Sequence, residues 1–205
     1  MHFVDFGADV IKVEDTAAGD YMRNFPPTVA VSGGKTVNAA FEAVNRGKRS
    51  IAIDLKSAEG REVLLRLVDR ADALIEGFRP GVLDRLSLGW ATLHARNPRL
   101  VLCSLSGYGQ HGPLSQQAGH DLNYIAMTGV LDQIRAGGKL AIPNLQIGDL
   151  LGGTLSALDG RGPDQLNLTL LVDRVKAGGV REDKAGEAQV GEATRFPGTT
   201  ALLPV

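Results

Sequence analysis

The segment Ala118–Tyr124 carries the most reactive set of side chains in the sequence. His120, Asp121 and Tyr124 place an imidazole, a carboxylate and a phenol at the start of one predicted helix. A second carboxylate, Asp149, follows a loop broken by Gly and Pro. An imidazole and a carboxylate can exchange a proton with a substrate near neutral pH, so His120 and Asp149 are candidates for general acid–base chemistry.

Each of these residues also has an ordinary structural interpretation. A histidine at a helix start is more often a capping or surface residue, and Asp149 could be the N-cap of the apolar helix that follows it. We expect Asp121 to cap its helix or to orient an imidazole rather than to react itself.

Composition limits the classes of function. The chain has 205 residues, 43% of them hydrophobic, and a net charge of −1, which gives no bias towards nucleic acid or an anionic membrane. Its one cysteine, Cys103, excludes an internal disulfide and a cysteine-based zinc site. No apolar run is long enough to span a bilayer, and the first residues do not resemble a secretory signal. We therefore expect an intracellular, cytoplasmic protein; a peroxisomal or mitochondrial location is also compatible with the sequence.

Short strands alternate with helices along most of the chain. Strands are predicted at Asp9–Glu14, 50–55, 73–75 and 100–105, and a helix after Ser57 has Val63, Leu64, Leu67 and Val68 as its predicted buried stripe. This alternation predicts an α/β fold, a parallel sheet flanked by helices. Ligands of such sheets bind beyond the carboxyl ends of the strands, so the loops that follow should meet on one edge. These loops carry Lys56, Glu76, Arg79 and the segment leading to His120.

The composition changes after Leu158. Residues 159–205 are rich in Gly, Thr and charged residues and contain one aromatic, Phe196. We predict a partial α/β domain over 1–158 and a divergent, weakly ordered tail over 159–205. Within that tail, residues 166–175 could form a short strand or helix.

Three further motifs are weak. Gly33–Thr36 resembles the end of a phosphate-binding loop, but Val29 stands where that motif needs a glycine. The three glycines of Gly107–Gly112 match a dinucleotide fingerprint, but Pro113 and a polar stretch follow instead of a helix, so we do not expect nicotinamide binding. The basic residues of Arg46–Arg49 form either a solvated turn or a phosphate contact.

Several motifs, taken in order over about 150 residues, resemble the family III CoA-transferases. They are Asp5–Glu14, Asn45–Ser50 with Asp54–Lys56, Glu76–Gly81, Asn97–Leu100 and Gly107–Pro113. Within that family, Ala118–Tyr124 resembles the α-methylacyl-CoA racemase branch.

The resemblance implies where a substrate would bind. It implies that His120 and Asp149 are the catalytic acid and base. Residues Ile53, Asp54, Leu55 and Lys56 would flank the adenine and ribose of coenzyme A. The nucleotide and its phosphates would be held by Gly77, Phe78, Arg79 and Arg85. The thioester would be surrounded by Gly119, Asp121, Leu122, Asn123 and Tyr124.

The resemblance also implies a reaction in lipid metabolism. It implies α-proton removal from a 2-methylacyl-CoA thioester and reprotonation through an enolate, with roles that exchange with configuration. The acyl-CoA is the partner, coenzyme A is part of the substrate, and neither a metal nor another cofactor is required. The alternatives are a CoA-transferase that forms an aspartyl anhydride at Asp149 and an inactive remnant that binds coenzyme A.

The sequence departs from the family pattern at both ends. We expect the first βα unit to be missing, which would remove one strand from the sheet. Asp15 stands where the racemases tend to have an arginine for the coenzyme A phosphates. The family implies an interlinked homodimer, but we find no match to the second domain that would close the site.

Overall fold

The computed structural model of the chain describes residues 1–159, 169–173 and 192–194, with side chains described up to residue 155. The strands are β1 (Asp9–Glu14), β2 (Thr28–Ala30), β3 (Thr36–Asn38), β4 (Arg49–Ala52), β5 (Ala73–Glu76), β6 (Val101–Ser104), β7 (Arg135–Ala136), β8 (Lys139–Leu140), β9 (Thr169–Asp173) and β10 (Glu192–Thr194). The α-helices are α1 (His2–Asp5), α2 (Ala39–Asn45), α3 (Ala58–Val68), α4 (Val82–Arg85), α5 (Trp90–Arg96), α6 (Asp121–Met127), α7 (Val130–Gln133) and α8 (Ile147–Asp159), and a 3-10 helix spans Tyr21–Asn24.

The main sheet has six strands in the order β10-β6-β5-β9-β1-β4. All neighbouring pairs are parallel except β10 with β6. The α/β fold predicted from the sequence is confirmed. Because β1, β4, β5 and β6 run in the same direction, the loops that follow them leave from the same edge, as predicted.

Strand β9 lies at the centre of the sheet, between β1 and β5. Its pairing places Ile11 opposite Leu171 and Leu74 opposite Leu171. This strand falls inside the region where the sequence allowed a short strand or helix. Apart from β9 and β10, the tail that we predicted to be weakly ordered lies outside the described residues.

Apolar side chains pack on both faces of the sheet, since alternate residues of a strand point to opposite sides. On one face, Val13 and Leu74 pack with Leu64 and Val68 of α3 and with Leu93 of α5. On the other face, Val10, Ala73 and Ile75 pack against residues of the α1 region, Phe3, Val4 and Ala8.

Helix α3 shows how sequence and burial agree and where they differ. Ser57 is its N-cap, and the Ser57 hydroxyl accepts the Gly60 N–H. Leu64 and Val68 are buried as predicted, but Val63 is 39% exposed, so its assignment to the buried stripe was wrong. The buried Leu64 and Val68 and the half-buried Leu67 follow the i, i+3, i+4 spacing, and Val63 lies beside that stripe on the helix surface.

Candidate functional site

A small apolar cleft, lined mostly by buried residues, lies at the carboxyl edge of the sheet on the α3 face. Its lining comes from strand ends and from the loops beyond them: Val13, Leu55, Leu64, Leu74, Glu76, Phe78 and Leu83. The structure therefore brings together Leu55 and Phe78, two residues of the predicted nucleotide site that are 23 positions apart in the sequence.

Glu76 is the one ionisable residue in the lining of this cleft. Its Oε2 accepts the Phe78 N–H at 2.6 Å, so the carboxyl holds the turn that begins the next loop. Burial raises the pKa of Glu76, and hydrogen bonds from Ser104 and Phe78 oppose that rise. Glu76 belongs to one of the motifs that resemble the family, but the sequence predicted no role for it.

The other predicted nucleotide residues differ in how accessible they are. The side chain of Ile53 is buried in the core, and its N–H bonds to the Glu14 carbonyl at 2.9 Å, so only its neighbours can face a ligand. Asp54 and Lys56 are exposed, and Asp54 Oδ1 accepts the Lys56 N–H.

The loop Gly77–Gly81 presents its cation to solvent. Arg79 is exposed within the loop, and Arg85 is exposed on α4. Gly81 has a φ of 79°, a left-handed conformation that favours glycine, and a Cβ there would approach the Arg85 guanidinium at 3.4 Å. Gln116 donates to the Pro80 carbonyl at 3.2 Å, which ties this loop to the segment that leads into α6.

His120 is the N-cap of α6 and is exposed. Its backbone N–H donates to Asn123 Oδ1 at 3.0 Å, and its carbonyl accepts the Asn123 N–H at 2.8 Å. Asn123 thus closes the first turn of α6 and fixes the backbone of His120. Leu122, the next residue on the exposed side, is 39% exposed.

Asp121 is buried, and it bonds to a different helix from its own. Its Oδ1 accepts the Asp149 N–H at 3.0 Å, in the first turn of α8. The expectation that Asp121 would cap its own helix was therefore wrong, because the chain brings a second helix start within reach of this carboxylate. Asp149 itself is exposed.

Tyr124 fills the space between α6 and two glycines. A Cβ at Gly107 would lie 2.1 Å from the Tyr124 ring, and one at Gly119 would lie 2.6 Å from it. The Tyr108 ring packs edge-on against Tyr124 at 5.3 Å between centroids. Burial, and then the charge of Asp149, raise the pKa of Tyr124 to about 12, so the phenol stays protonated at neutral pH.

Tyr108 is a further residue for which the sequence predicted no role. The signal available for it was a single aromatic between Gly107 and Gly109, two residues that leave room for rings. The contact between Tyr108 and Tyr124 depends on the fold, so the sequence alone does not reveal it.

A separate group of charges lies at the end of β1, on the opposite sheet face. We call Lys12, Glu14, Asp20 and Arg23 the β1 cluster. Arg23 donates to both oxygens of Glu14, at 2.8 and 2.6 Å, and Lys12 pairs with Asp20 at 2.9 Å. The Arg23 hydrogen bonds lower the pKa of Glu14 to about 2.

The basic turn after α2 is occupied by ion pairs. Arg46 donates to both oxygens of Asp5, at 2.9 and 2.8 Å, and Arg49 pairs with Asp9. The interpretation as a surface turn is therefore the one that the contacts favour. Asp15 Oδ1 accepts the Ala17 N–H at 2.7 Å and so shapes its own turn.

The described residues contain neither a membrane-spanning helix nor a metal-binding group. No helix among them is long and apolar enough to cross a membrane. Within the same part of the chain, no group of three or more His, Cys, Asp or Glu residues is placed to hold a metal ion.

The sequence is similar to proteins of one known family. A family model described as CoA-transferase family III matches residues 1–159. α-Methylacyl-CoA racemase of Homo sapiens is 40% identical over 204 residues, which cover 98% of this chain and 44% of that protein. Succinate–glutarate CoA-transferase of Agrobacterium fabrum is 44% identical over 129 residues, which cover 62% of this chain and 32% of that protein.

A solved structure gives the same result for the fold. The crystal structure of a CAIB/BAIF family protein from Brucella suis matches with a TM-score of 0.71 and 39% sequence identity, over 77% of this chain and 42% of that one. The chain thus spans less than half the length of each of these relatives.

Proposed function

Because the chain belongs to CoA-transferase family III, we propose that it interconverts the two configurations at C2 of a 2-methylacyl-CoA thioester. The family consists of enzymes that act as racemases or CoA-transferases, and an acyl-CoA substrate fits it. The observation that carries the proposal is the placement of His120 and Asp149 at the starts of two helices joined through Asp121.

The proposed reaction needs two proton-transfer groups. One group takes the proton from C2, and the electron pair of the broken C–H bond moves towards the thioester oxygen to give an enolate. The other group then delivers a proton to the opposite face of C2. An imidazole and a carboxyl differ in chemical type, so one can be protonated while the other is not. His120 and Asp149 exchange these roles when the configuration of the substrate is reversed.

The rest of the substrate would extend from this pair towards the apolar cleft. We place the adenine and ribose beside Leu55 and Phe78, the phosphates beside Arg79 and Arg85, and the thioester beside Gly119–Tyr124. The bond from Gln116 to the loop carrying Arg79 supports this path, because it connects the two ends of the proposed site.

Closure of the site belongs to the same proposal. His120 and Asp149 are exposed, and the segment from β8 into the first turns of α8 has exposed apolar side chains as well: Leu140, Ile142, Leu145, Leu150 and Leu151. The homodimer implied by the family would cover such a face. A particle twice the mass of the chain in sedimentation would support this step, and a monomer at all concentrations would remove it.

The test of the racemase proposal is interconversion of pure epimers of a 2-methylacyl-CoA, followed by chiral chromatography. We expect the protein to interconvert them and His120→Ala and Asp149→Ala to lose this activity. The matched controls are His111→Ala and Asp132→Ala, which remove an exposed residue of the same type and should remain active. A purified, folded protein that leaves both epimers unchanged would refute the proposal.

The second candidate is transfer of coenzyme A between carboxylic acids. Similarity to a succinate–glutarate CoA-transferase favours it, and the exposed Asp149 offers a nucleophile. The Asp149 carboxylate would attack the thioester carbonyl, coenzyme A would leave as its thiolate, and an acyl–aspartyl anhydride would remain. Hydroxylamine should trap that anhydride at Asp149, whereas a racemase should give no trapped product.

A third possibility is a protein that binds coenzyme A without catalysis. Calorimetric titration with acetyl-CoA separates it from the other two when it is combined with the activity assays. Binding without interconversion and without transfer would favour it, and absence of binding would exclude all three.

A further inference from the structure

An N–H group at the start of α8 donates to an acceptor that the α8 sequence itself does not supply. The first N–H groups of an α-helix have no partner inside the helix, and a Ser, Thr, Asp or Asn at the N-cap usually accepts one of them. The first backbone bond of α8 runs from the Leu150 N–H to the Gln146 carbonyl. Gln146 therefore stands at the cap position, and glutamine is not among the favoured capping residues.

Asp121 supplies the missing acceptor from α6. Asp121 is only 8% exposed, and its Oδ1 lies 3.0 Å from the Asp149 nitrogen, 28 residues along the chain. A negative charge at a helix start is favourable, so the contact is stabilising as well as geometrically specific.

Gly148 allows the two helix starts to come this close. A Cβ at Gly148 would lie 3.2 Å from Asp121 Oδ1 and 3.5 Å from the Tyr124 Cβ. The residue next to Asp149 is therefore in contact with α6, and the position of Asp149 depends on how this contact is made.

We propose that Asp121 is a positioning residue that sets the distance between the two proton-transfer groups. It follows His120 directly in the chain, and its side chain holds the backbone of Asp149. A shift at the start of α8 would move the Asp149 carboxyl relative to His120 and to the substrate carbon between them. This inference rests on the proposed racemase function for its catalytic consequence, but not for the hydrogen bond itself.

The first test separates the hydrogen bond from the charge. Asp121→Asn keeps an oxygen at the same place, and Asp121→Ala removes it. We expect Asp121→Ala to lower kcat for epimer interconversion about a hundredfold, with KM changed much less, because misplacement by about 1 Å has effects of that size. Asp121→Asn should recover most of the lost kcat.

The matched control is Asn38→Ala. Asn38 is 3% exposed and accepts the Phe41 N–H at 2.7 Å as the N-cap of α2, so it is a buried helix cap away from the proposed site. It should lower thermal stability with little change in kcat. Equal kcat losses in Asn38→Ala and Asp121→Ala would overturn the proposal, as would folded Asp121→Asn and Asp121→Ala variants that are equally impaired.

A second measurement does not depend on activity. Amide hydrogen exchange at Asp149, followed by NMR, should be slow in the unaltered protein and in Asp121→Asn and at least about tenfold faster in Asp121→Ala, because the amide loses its acceptor. Unchanged exchange in Asp121→Ala would overturn the positioning role. Faster exchange, combined with no racemase activity in the unaltered protein, would leave the positioning contact standing and refute the proposed function instead.

Discussion

The β1 cluster and the pair formed by His120 and Asp149 use their charges differently. Glu14 is 5% exposed and accepts hydrogen bonds from Arg23, Ser50 and the Asp20 backbone. His120 and Asp149 are both exposed, and the contacts that fix their backbones come from Asn123 and Asp121. The first group has its charges matched within the chain and shapes a loop, whereas the second presents its reactive groups outwards on fixed helix starts.

The largest expected effect on stability is in the β1 cluster. Glu14→Ala would leave the Asp20 N–H and the Ser50 hydroxyl without their acceptor and Arg23 without its ion pair. We expect the free energy of unfolding in urea to fall by about 3 kcal/mol, towards the low end for a broken buried pair because Arg23 is partly exposed. The control is Glu42→Ala, which removes an exposed acid from α2 and should change the free energy of unfolding by less than about 0.5 kcal/mol. Equal losses of stability in the two variants would show that the buried Glu14 contributes no more than an exposed acid.

The next effect concerns the rings that support the proposed site. Gly107→Ala would place a methyl group 2.1 Å from the Tyr124 ring, so the ring must move. We expect the free energy of unfolding to fall by about 1–3 kcal/mol and epimer interconversion to be reduced. Gly153→Ala in α8 meets no atom within 4 Å and should raise stability by up to about 1 kcal/mol. Thermal unfolding measures both, and an unaffected Gly107→Ala would mean that Tyr124 is not confined as described.

The pH dependence of stability should have opposite signs at Glu14 and Glu76. The pKa of Glu14 is lowered to about 2 from the usual 4.5, so its stabilising contribution is present above 4.5 and lost as the pH falls towards 2. The pKa of Glu76 is raised above 4.5, so its contribution is present below 4.5 and lost as the pH rises through the folded pKa.

These signs can be measured with two conservative variants. Glu14→Gln should be less stable than the unaltered protein, and the difference in the free energy of unfolding in urea should grow as the pH rises. The measurement should run from about pH 3.5 to about pH 7, which begins below the usual carboxyl pKa and ends well above it. Glu76→Gln should instead gain relative stability as the pH rises. Parallel slopes in the two variants would contradict the comparison.

The smallest effect is expected at the basic turn. Arg46→Ala removes a pair with Asp5 in which both side chains are more than one-third exposed. Exposed ion pairs contribute little to stability, so we expect the free energy of unfolding in urea to change by less than about 1 kcal/mol. A loss of stability as large as that of Glu14→Ala would show that exposed and buried ion pairs contribute equally to the stability of this protein.

The sequence predicted the elements that depend on local pattern. The strands β1, β4, β5 and β6 follow from apolar runs between turn residues, and their shared direction follows from the alternation with helices. Contacts between distant residues were not predictable in the same way. The pairing of Arg46 with Asp5 and the bond from Asp149 to Asp121 join residues 41 and 28 positions apart, and periodicity does not encode such separations. The position of β9 between β1 and β5 is another case, because a short strand does not specify its neighbours.

The most direct test of the account is incorporation of solvent deuterium at C2 of a 2-methylacyl-CoA, followed by mass spectrometry at early times. The account predicts incorporation into both epimers with the unaltered protein and with Asp132→Ala. His120→Ala and Asp149→Ala should each lose incorporation into the one epimer whose proton faces the missing group, and the two variants should lose opposite epimers. Full incorporation into both epimers in the His120→Ala and Asp149→Ala variants would contradict the assignment of these two residues as the proton-transfer pair.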